Sequence, residues 1–153
     1  MRSTTAQSDV AASARELWAA LTSPARTRQY LAGLSITSRW EPDARVDACH
    51  GRTLIATGVV VVACEPSLLV YRLDDPATGD TDCWLSWQLD QSEPDLTRVT
   101  LTADTLPADP AIDTVRLVSS LKTHVETNHR RNAPADPSAL ARTIQLIPKP
   151  RRR

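Results

Sequence analysis

Phenylalanine is absent from this 153-residue chain, and glycine, cysteine and methionine number only four, three and one. Each shortage removes a class of explanation. Gly33, Gly51, Gly58 and Gly79 are scattered singly, so the chain holds no glycine-rich loop to cradle a phosphate. Ser119 and Ser120 precede no glycine elbow, which leaves nucleophile chemistry without support. Cys49, Cys64 and Cys83 are odd in number, widely spaced and never in a CxxC pair. Neither a disulfide framework nor a zinc site is expected from them; each falls in a strand-like run, where a buried free thiol is expected. His50, His124 and His129 lack a second ligand three or four residues away on the same face, so no metal is expected, and no cofactor is implied. No apolar run approaches the roughly 20 residues of a membrane span. The opening MRSTTAQSDV has no apolar core of a signal peptide. A cytoplasmic protein without a membrane partner is expected.

Formal net charge is zero, but it is unevenly placed. From Arg130 onward stand seven basic residues and one acidic; the preceding part carries 11 basic and 17 acidic. An acidic body argues against a nucleic-acid-binding face. The closing PKPRRR is the one basic cluster, either a contact for an acidic partner or simply solvated.

The chain is organised around IDTVRLVSSLKTHVETN, residues 112–128, its longest uninterrupted helical pattern. At about 100° per residue, Leu117, Val118, Leu121 and Val125 fall on one stripe, with Thr114 and Asn128 at its ends and Arg116, Lys122 and Glu126 away from it. Asp109 or Asp113 offers an N-cap. Upstream the pattern is mostly strand. A weak strand over Ala6–Val10 leads to Ser13, which opens a capping box with Glu16. The helix ARELWAAL follows. Pro24 starts a second short helix, and Gly33 is expected to close it. From Leu34 the period changes to two: strands are expected at Ile36–Trp40, Val46–Cys49, Thr53–Cys64, Leu69–Leu73, Cys83–Leu89 and Thr97–Thr105, joined by short turns as an antiparallel meander. GVVVVAC reads as the best-buried strand, with Gly58 marking a bulge or a close contact. After Arg131 four prolines and three terminal arginines predict a flexible tail, so the domain is taken as 1–130 and the tail as 131–153.

This order of elements resembles the START-like, or SRPBCC, superfamily, and more closely the bacterial stand-alone branch named for the activator of the heat-shock protein 90 ATPase. The resemblance is carried by ASARELWAALTSPARTRQYLAG at 12–33, SITSRWEP at 35–42, TGVVVVACEPSLLVYRL at 57–73, LTRVTLTAD at 96–104 and VRLVSSLKTHVET at 115–127. It implies an α+β helix-grip fold: a curved antiparallel sheet wrapped around a long C-terminal helix, with two short helices after the first strand. It also implies an apolar cavity between sheet and helix for a small ligand or a partner, and no fixed catalytic set. In that family the turn after the tryptophan strand usually has glycine after the proline; here it reads Pro42-Asp43-Ala44.

Period two places Leu85, Trp87 and Leu89 on one face, and Leu69, Tyr71 and Leu73 on another, both expected to look toward the long helix. Trp40, Tyr71, Trp87, Leu117, Leu121 and His124 are the expected ligand lining. The aromatics either orient a ligand by their polar tips or simply fill the core. His124 is either a cavity contact or a core-edge histidine satisfied by a carbonyl. Trp84, on the face opposite Trp87, is a candidate protein contact. Arg72, Arg98 and Asp104 belong on a solvated face, and any one of them buried in the cavity would signal function. The leading expectation is binding of a small hydrophobic or amphipathic ligand. The alternatives are a co-chaperone-like contact with a protein partner or homodimer, and a cyclase- or hydrolase-type enzyme pairing His124 with Tyr71 or Asp104.

Overall fold

The computed structural model describes residues 2–105 and 112–132. The elements run β1 (Arg2–Val10), α1 (Ala14–Thr22), α2 (Pro24–Tyr30), β2 (Leu34–Ser38), β3 (Arg45–His50), β4 (Thr53–Cys64), β5 (Leu68–Asp74), β6 (Thr81–Glu93), β7 (Leu96–Thr105) and α3 (Thr114–Asn132). All seven strands form one antiparallel sheet in the order β1-β7-β6-β5-β4-β3-β2. The curved sheet with one long helix closing over it is the helix-grip arrangement. The cap at Asp109, the connector 106–110 and the tail from 133 lie outside the described residues; α3 itself runs on to Asn132.

Local chemistry sets the element ends. Ser13 accepts the Glu16 backbone N–H while the Glu16 carboxylate accepts the Ser13 N–H, a complete capping box. Pro24 opens α2, where its missing N–H costs nothing. Asp113 Oδ1 accepts the Arg116 N–H at 3.0 Å and so caps α3. Two boundaries differ from expectation. Helix α2 ends at Leu31, whose N–H bonds to the Thr27 carbonyl, and Ala32 joins Gly33 in the left-handed region beyond it. Trp40 lies outside β2, in a turn with φ +54. There Asp43, at φ +66, takes the left-handed conformation a glycine would adopt; a short polar side chain tolerates it.

The inner face of the sheet carries the core. Leu69, Tyr71 and Leu73 of β5, Leu85, Trp87 and Leu89 of β6, and Val99 and Leu101 of β7 are buried, with Val118, Leu121 and Val125 of α3 over them. Strand β4 is not the best-buried strand. Its burial is confined to Ala56, Gly58 and Val60, whereas β7 buries every second residue from Thr97 to Thr105. Two register shifts explain this. One falls between the pairs Ala48–Ala56 and Cys49–Leu54, the other between Val60–Tyr71 and Val62–Val70. Each leaves one extra residue on β4, Ile55 and Val61, and both are turned to solvent. Of the three cysteines only Cys83 is buried; Cys64 is exposed because it ends the strand.

A helix contacts each sheet edge, which satisfies some of the backbone groups an edge strand leaves open. At β1, the Lys122 ammonium donates to the Asp9 carbonyl at 2.6 Å and the Glu126 carboxylate accepts the Ala11 N–H at 2.8 Å. At β2, the Ile36 N–H donates to the buried Thr27 hydroxyl of α2 at 2.9 Å.

Gly58 marks the closest approach in the sheet. A Cβ there would sit 1.7 Å from the Arg72 carbonyl oxygen on β5. Backbone must move to admit it, so Gly58→Ala is expected to destabilise by about 3 kcal/mol or more. In a chain of this size that lowers Tm by roughly 6–12 °C. Calorimetry or a thermal circular-dichroism scan checks this; a Tm unchanged within 2 °C, on the order of the scan's own scatter, contradicts the close approach.

Candidate functional site

Helix α3 presents three flanks. Val118, Leu121 and Val125 face the core, and Lys122 and Glu126 face β1. The remaining flank meets α2, and between them lie two adjoining cavities of about 420 and 520 Å³. They share Gln29, Arg116 and Ser120, so they form one groove. Its near end is apolar, walled by Tyr30, Ile112 and Leu117. Its far end is polar, walled by Ser119, Thr123, Thr127, His124 and Asn128. Hydroxyls recur on this flank because positions three and four apart share a helix face.

His124, in the wall of the polar end, has two side-chain partners at one ring nitrogen. Arg26 Nε donates to His124 Nε2 at 3.1 Å, and Asn128 Nδ2 lies 3.3 Å from the same nitrogen. Arginine has no lone pair to offer, so Nε2 is the acceptor and the ring proton is assigned to Nδ1. Partial burial and then the Arg26 guanidinium disfavour a second proton, and both lower the His124 pKa below its ordinary value. The His124 ring also lies 5.3 Å from that of Tyr30. Tyr30 is buried, donates its hydroxyl to the Ala20 carbonyl at 2.7 Å, and has a pKa raised by burial. It is a fixed wall and not a proton carrier.

Of the six residues expected to line a ligand site, His124 and Leu117 border the groove. Trp87, Tyr71 and Leu121 are packed inside the core cluster and do not border it. Trp40 stands edge-on to Tyr71 at 5.6 Å and donates its indole N–H to the Thr22 carbonyl, tying α1 to the sheet. The Trp87 indole nitrogen is buried without a partner in hydrogen-bond geometry. Burial raises the Tyr71 phenol pKa, and the nearby Trp87 N–H, too poorly aligned for a hydrogen bond, opposes that shift only in part. His124 and Asp104 are not brought together: Asp104 pairs across the sheet with Trp84 and Ser3, on the face away from α3. Arg72 pairs with Asp74 at 3.1 Å and lies over the half-buried Trp84 ring, while Arg98 pairs with Asp9. Among the described residues no three His, Cys, Asp or Glu side chains converge as metal ligands, and no helix is long and apolar enough to cross a membrane.

Arg26 was not among the expected site residues. It lies 98 residues from His124, and no local pattern joins them. The one available signal is that the short helix α2 carries Arg26, Arg28 and Tyr30, a composition common on solvated helices.

Comparison with known proteins adds the family. Residues 11–126 match the profile of the Activator of Hsp90 ATPase homolog 1-like protein family. The fold is similar to that of protein MLL2253 from Mesorhizobium loti, at TM-score 0.63 and 15% identity over 87% of this chain and 100% of that one. It is similar to the Aha1 dimer from Colwellia psychrerythraea, at TM-score 0.62 and 15% identity over 82% and 97%. It is also similar to PFC0360w, an HSP90 activator from Plasmodium falciparum, at TM-score 0.59 and 13% identity over 86% and 93%. A comparison with functionally curated proteins finds no match.

The His124 shift has a defined consequence for stability. Above about pH 6.5 the ring is neutral in both folded and unfolded chains, and it adds no pH dependence. As pH falls below that value, the unfolded chain takes up a proton that the folded chain resists, so stability declines until the lowered folded pKa is passed. Denaturant titrations across this range are expected to show the decline in the native chain and a shallower one in His124→Gln. An NMR-measured His124 pKa above 6.5, the ordinary histidine value, contradicts the arrangement.

Proposed function

This chain belongs to the Activator of Hsp90 ATPase homolog 1-like family, and from that premise we propose that it binds a small hydrophobic or amphipathic molecule in the groove between α2 and α3, as a binding module and not an enzyme. One observation carries the reading: an apolar wall of Tyr30, Ile112 and Leu117 continues into a polar wall of hydroxyls, His124 and Asn128. An amphipathic molecule satisfies both ends at once. Burial of its apolar part, at about 25 cal/mol per Å², supplies most of the affinity. Leu117 and His124 contact the ligand; Tyr71, Trp87 and Leu121 support the groove from the core, and Trp40 braces α1 behind it. The groups that act on His124 are Arg26, Tyr30 and Asn128, a set suited to holding and not to moving a proton.

A second reading, a co-chaperone-like contact with a protein partner or a second copy, is favoured by the exposed apolar pair Leu54 and Ile55 near the start of β4. The Colwellia relative is described as a dimer and the Plasmodium relative as an HSP90 activator.

Titration with a library of apolar and amphipathic probes, followed by amide NMR, separates the readings. Binding in the groove is expected to shift the amides of Gln29, Leu117, Ser120 and Thr123. Ser120→Phe, which places a ring at the junction of the two cavities, is expected to weaken that binding by about tenfold or more while leaving Tm within a few degrees, because a half-exposed helix position tolerates bulk. Shifts confined to Leu54 and Ile55, or none with any probe, remove the ligand reading.

A further inference from the structure

We infer that the open edge of β1, with Val115 of α3 standing over it, is a docking surface for a second copy of this chain, joined edge to edge about a two-fold axis through Thr5. The backbone comes first. The Asp9 carbonyl and the Ala11 N–H reach side chains of α3 beyond the strand, so both point off the sheet. Alternate residues of a strand share that direction, which turns the backbone groups of Ser3, Thr5 and Gln7 off the same edge. None of these groups has a hydrogen-bond partner among the described residues. The stretch from Ser3 to Ser8 has no proline and no charge, devices that keep an edge from pairing. Its side chains leave the edge clear: Thr5 and Gln7 bond to Thr102 and Thr100 of β7, on the face away from α3.

Helix α3 adds an apolar contact at the same place. Thr4 Oγ1 donates to the Ile112 carbonyl at 3.2 Å and Lys122 donates to the Asp9 carbonyl, so helix and strand run side by side in one direction. At about 1.5 Å per helical residue and 3.3 Å per strand residue, Val115 stands close to level with Thr5. It shares the flank of Lys122, two helical turns on, and so faces the edge. Val115 is 66% exposed, the most exposed large apolar residue among the described residues. A two-fold axis through Thr5, normal to the sheet, sets Thr5 opposite the partner's Thr5 and Ser3 opposite the partner's Gln7. Each such pair exchanges two N–H···O bonds. The same axis brings Val115 against the partner's Val115, and Arg2 falls opposite the partner's Ser8, so no like charges meet. A foreign strand would satisfy the backbone and leave Val115 in water. A second copy satisfies both, and its symmetry closes after one pairing. The groove lies on the opposite flank of α3 and stays open, so this inference does not depend on the ligand reading.

The test is sedimentation and amide hydrogen exchange on the full chain. A reversible dimer is expected between roughly 10 μM and 1 mM. At the high end the Ser3, Thr5 and Gln7 amides are expected to exchange at least about tenfold more slowly than at the low end. Thr5→Pro removes an outward N–H that the β1–β7 ladder does not use, a change an edge strand tolerates. Val115→Lys sets like charges face to face across the axis and leaves the strand untouched. Each is expected to raise the dimer Kd by about tenfold or more while the far-ultraviolet circular dichroism stays native. Should Thr5→Pro disturb the strand, Val115→Lys alone decides. A monomer over the whole range overturns the inference. So does a dimer that Val115→Lys leaves at native affinity, or one in which the three amides stay fast, since its interface then lies elsewhere.

Discussion

The position of α3 depends on a polar clamp at the edge of β1. Lys122 and Glu126 pair at 3.0 Å one helical turn apart. The same two side chains then reach the strand, one to the Asp9 carbonyl and one to the Ala11 N–H. Apolar packing of Val118, Leu121 and Val125 drives the helix onto the sheet, but burial is non-directional and permits sliding. Two directed bonds to backbone groups fix the translation. They also occupy edge groups of β1 that would otherwise template another strand. Once the helix is pinned on that flank, its opposite flank has a fixed distance from α2, and the groove is the space left between them.

The interior directly beneath α3 is filled. Trp87, Tyr71 and Leu121 are all within 2% of full burial and belong to one packed cluster. In a chain without phenylalanine, two large polar aromatics take the volume that several phenylalanines would share. Their polar atoms follow the cost of that choice: Tyr71 is driven further from ionisation by burial, and the Trp87 N–H is left without a well-placed acceptor. Open volume is instead found at the helix flank, where hydroxyls and the exposed Arg116 keep contact with water. A filled centre and an open flank together explain why the cavity walls are made by α2 and α3 and not by the sheet.

Much of this fold is written locally. The capping box, Pro24, the alternation of β5 to β7 and the stripe on α3 each state a preference that the folded chain obeys, because each depends on residues within four positions of one another. What escaped the sequence was long-range or geometric. A bulge is invisible in an alternating pattern such as VVVV, where every residue is equally apolar, so the exposure of Val61 and the modest burial of β4 could be settled only by pairing with β3 and β5. The period-two pattern from Leu34 predicts a strand through Trp40, and the left-handed backbone at Trp40 ends it earlier. Face assignment put Tyr71 and Trp87 inward correctly, yet inward does not distinguish a lining from a filling. The Arg26–His124 contact joins two helices far apart in the chain, and neither residue carries a mark of the other.

The apolar end of the groove and the β3–β4 hairpin are linked through Gly33. A Cβ on Gly33, just past α2, would stand 3.2 Å from the His50 ring, and His50 ends β3 immediately before the turn that leads to Leu54 and Ile55. Ala32, beside Gly33, lines the apolar end of the groove. The end of β3 therefore abuts the segment after α2 that borders the apolar end of the groove.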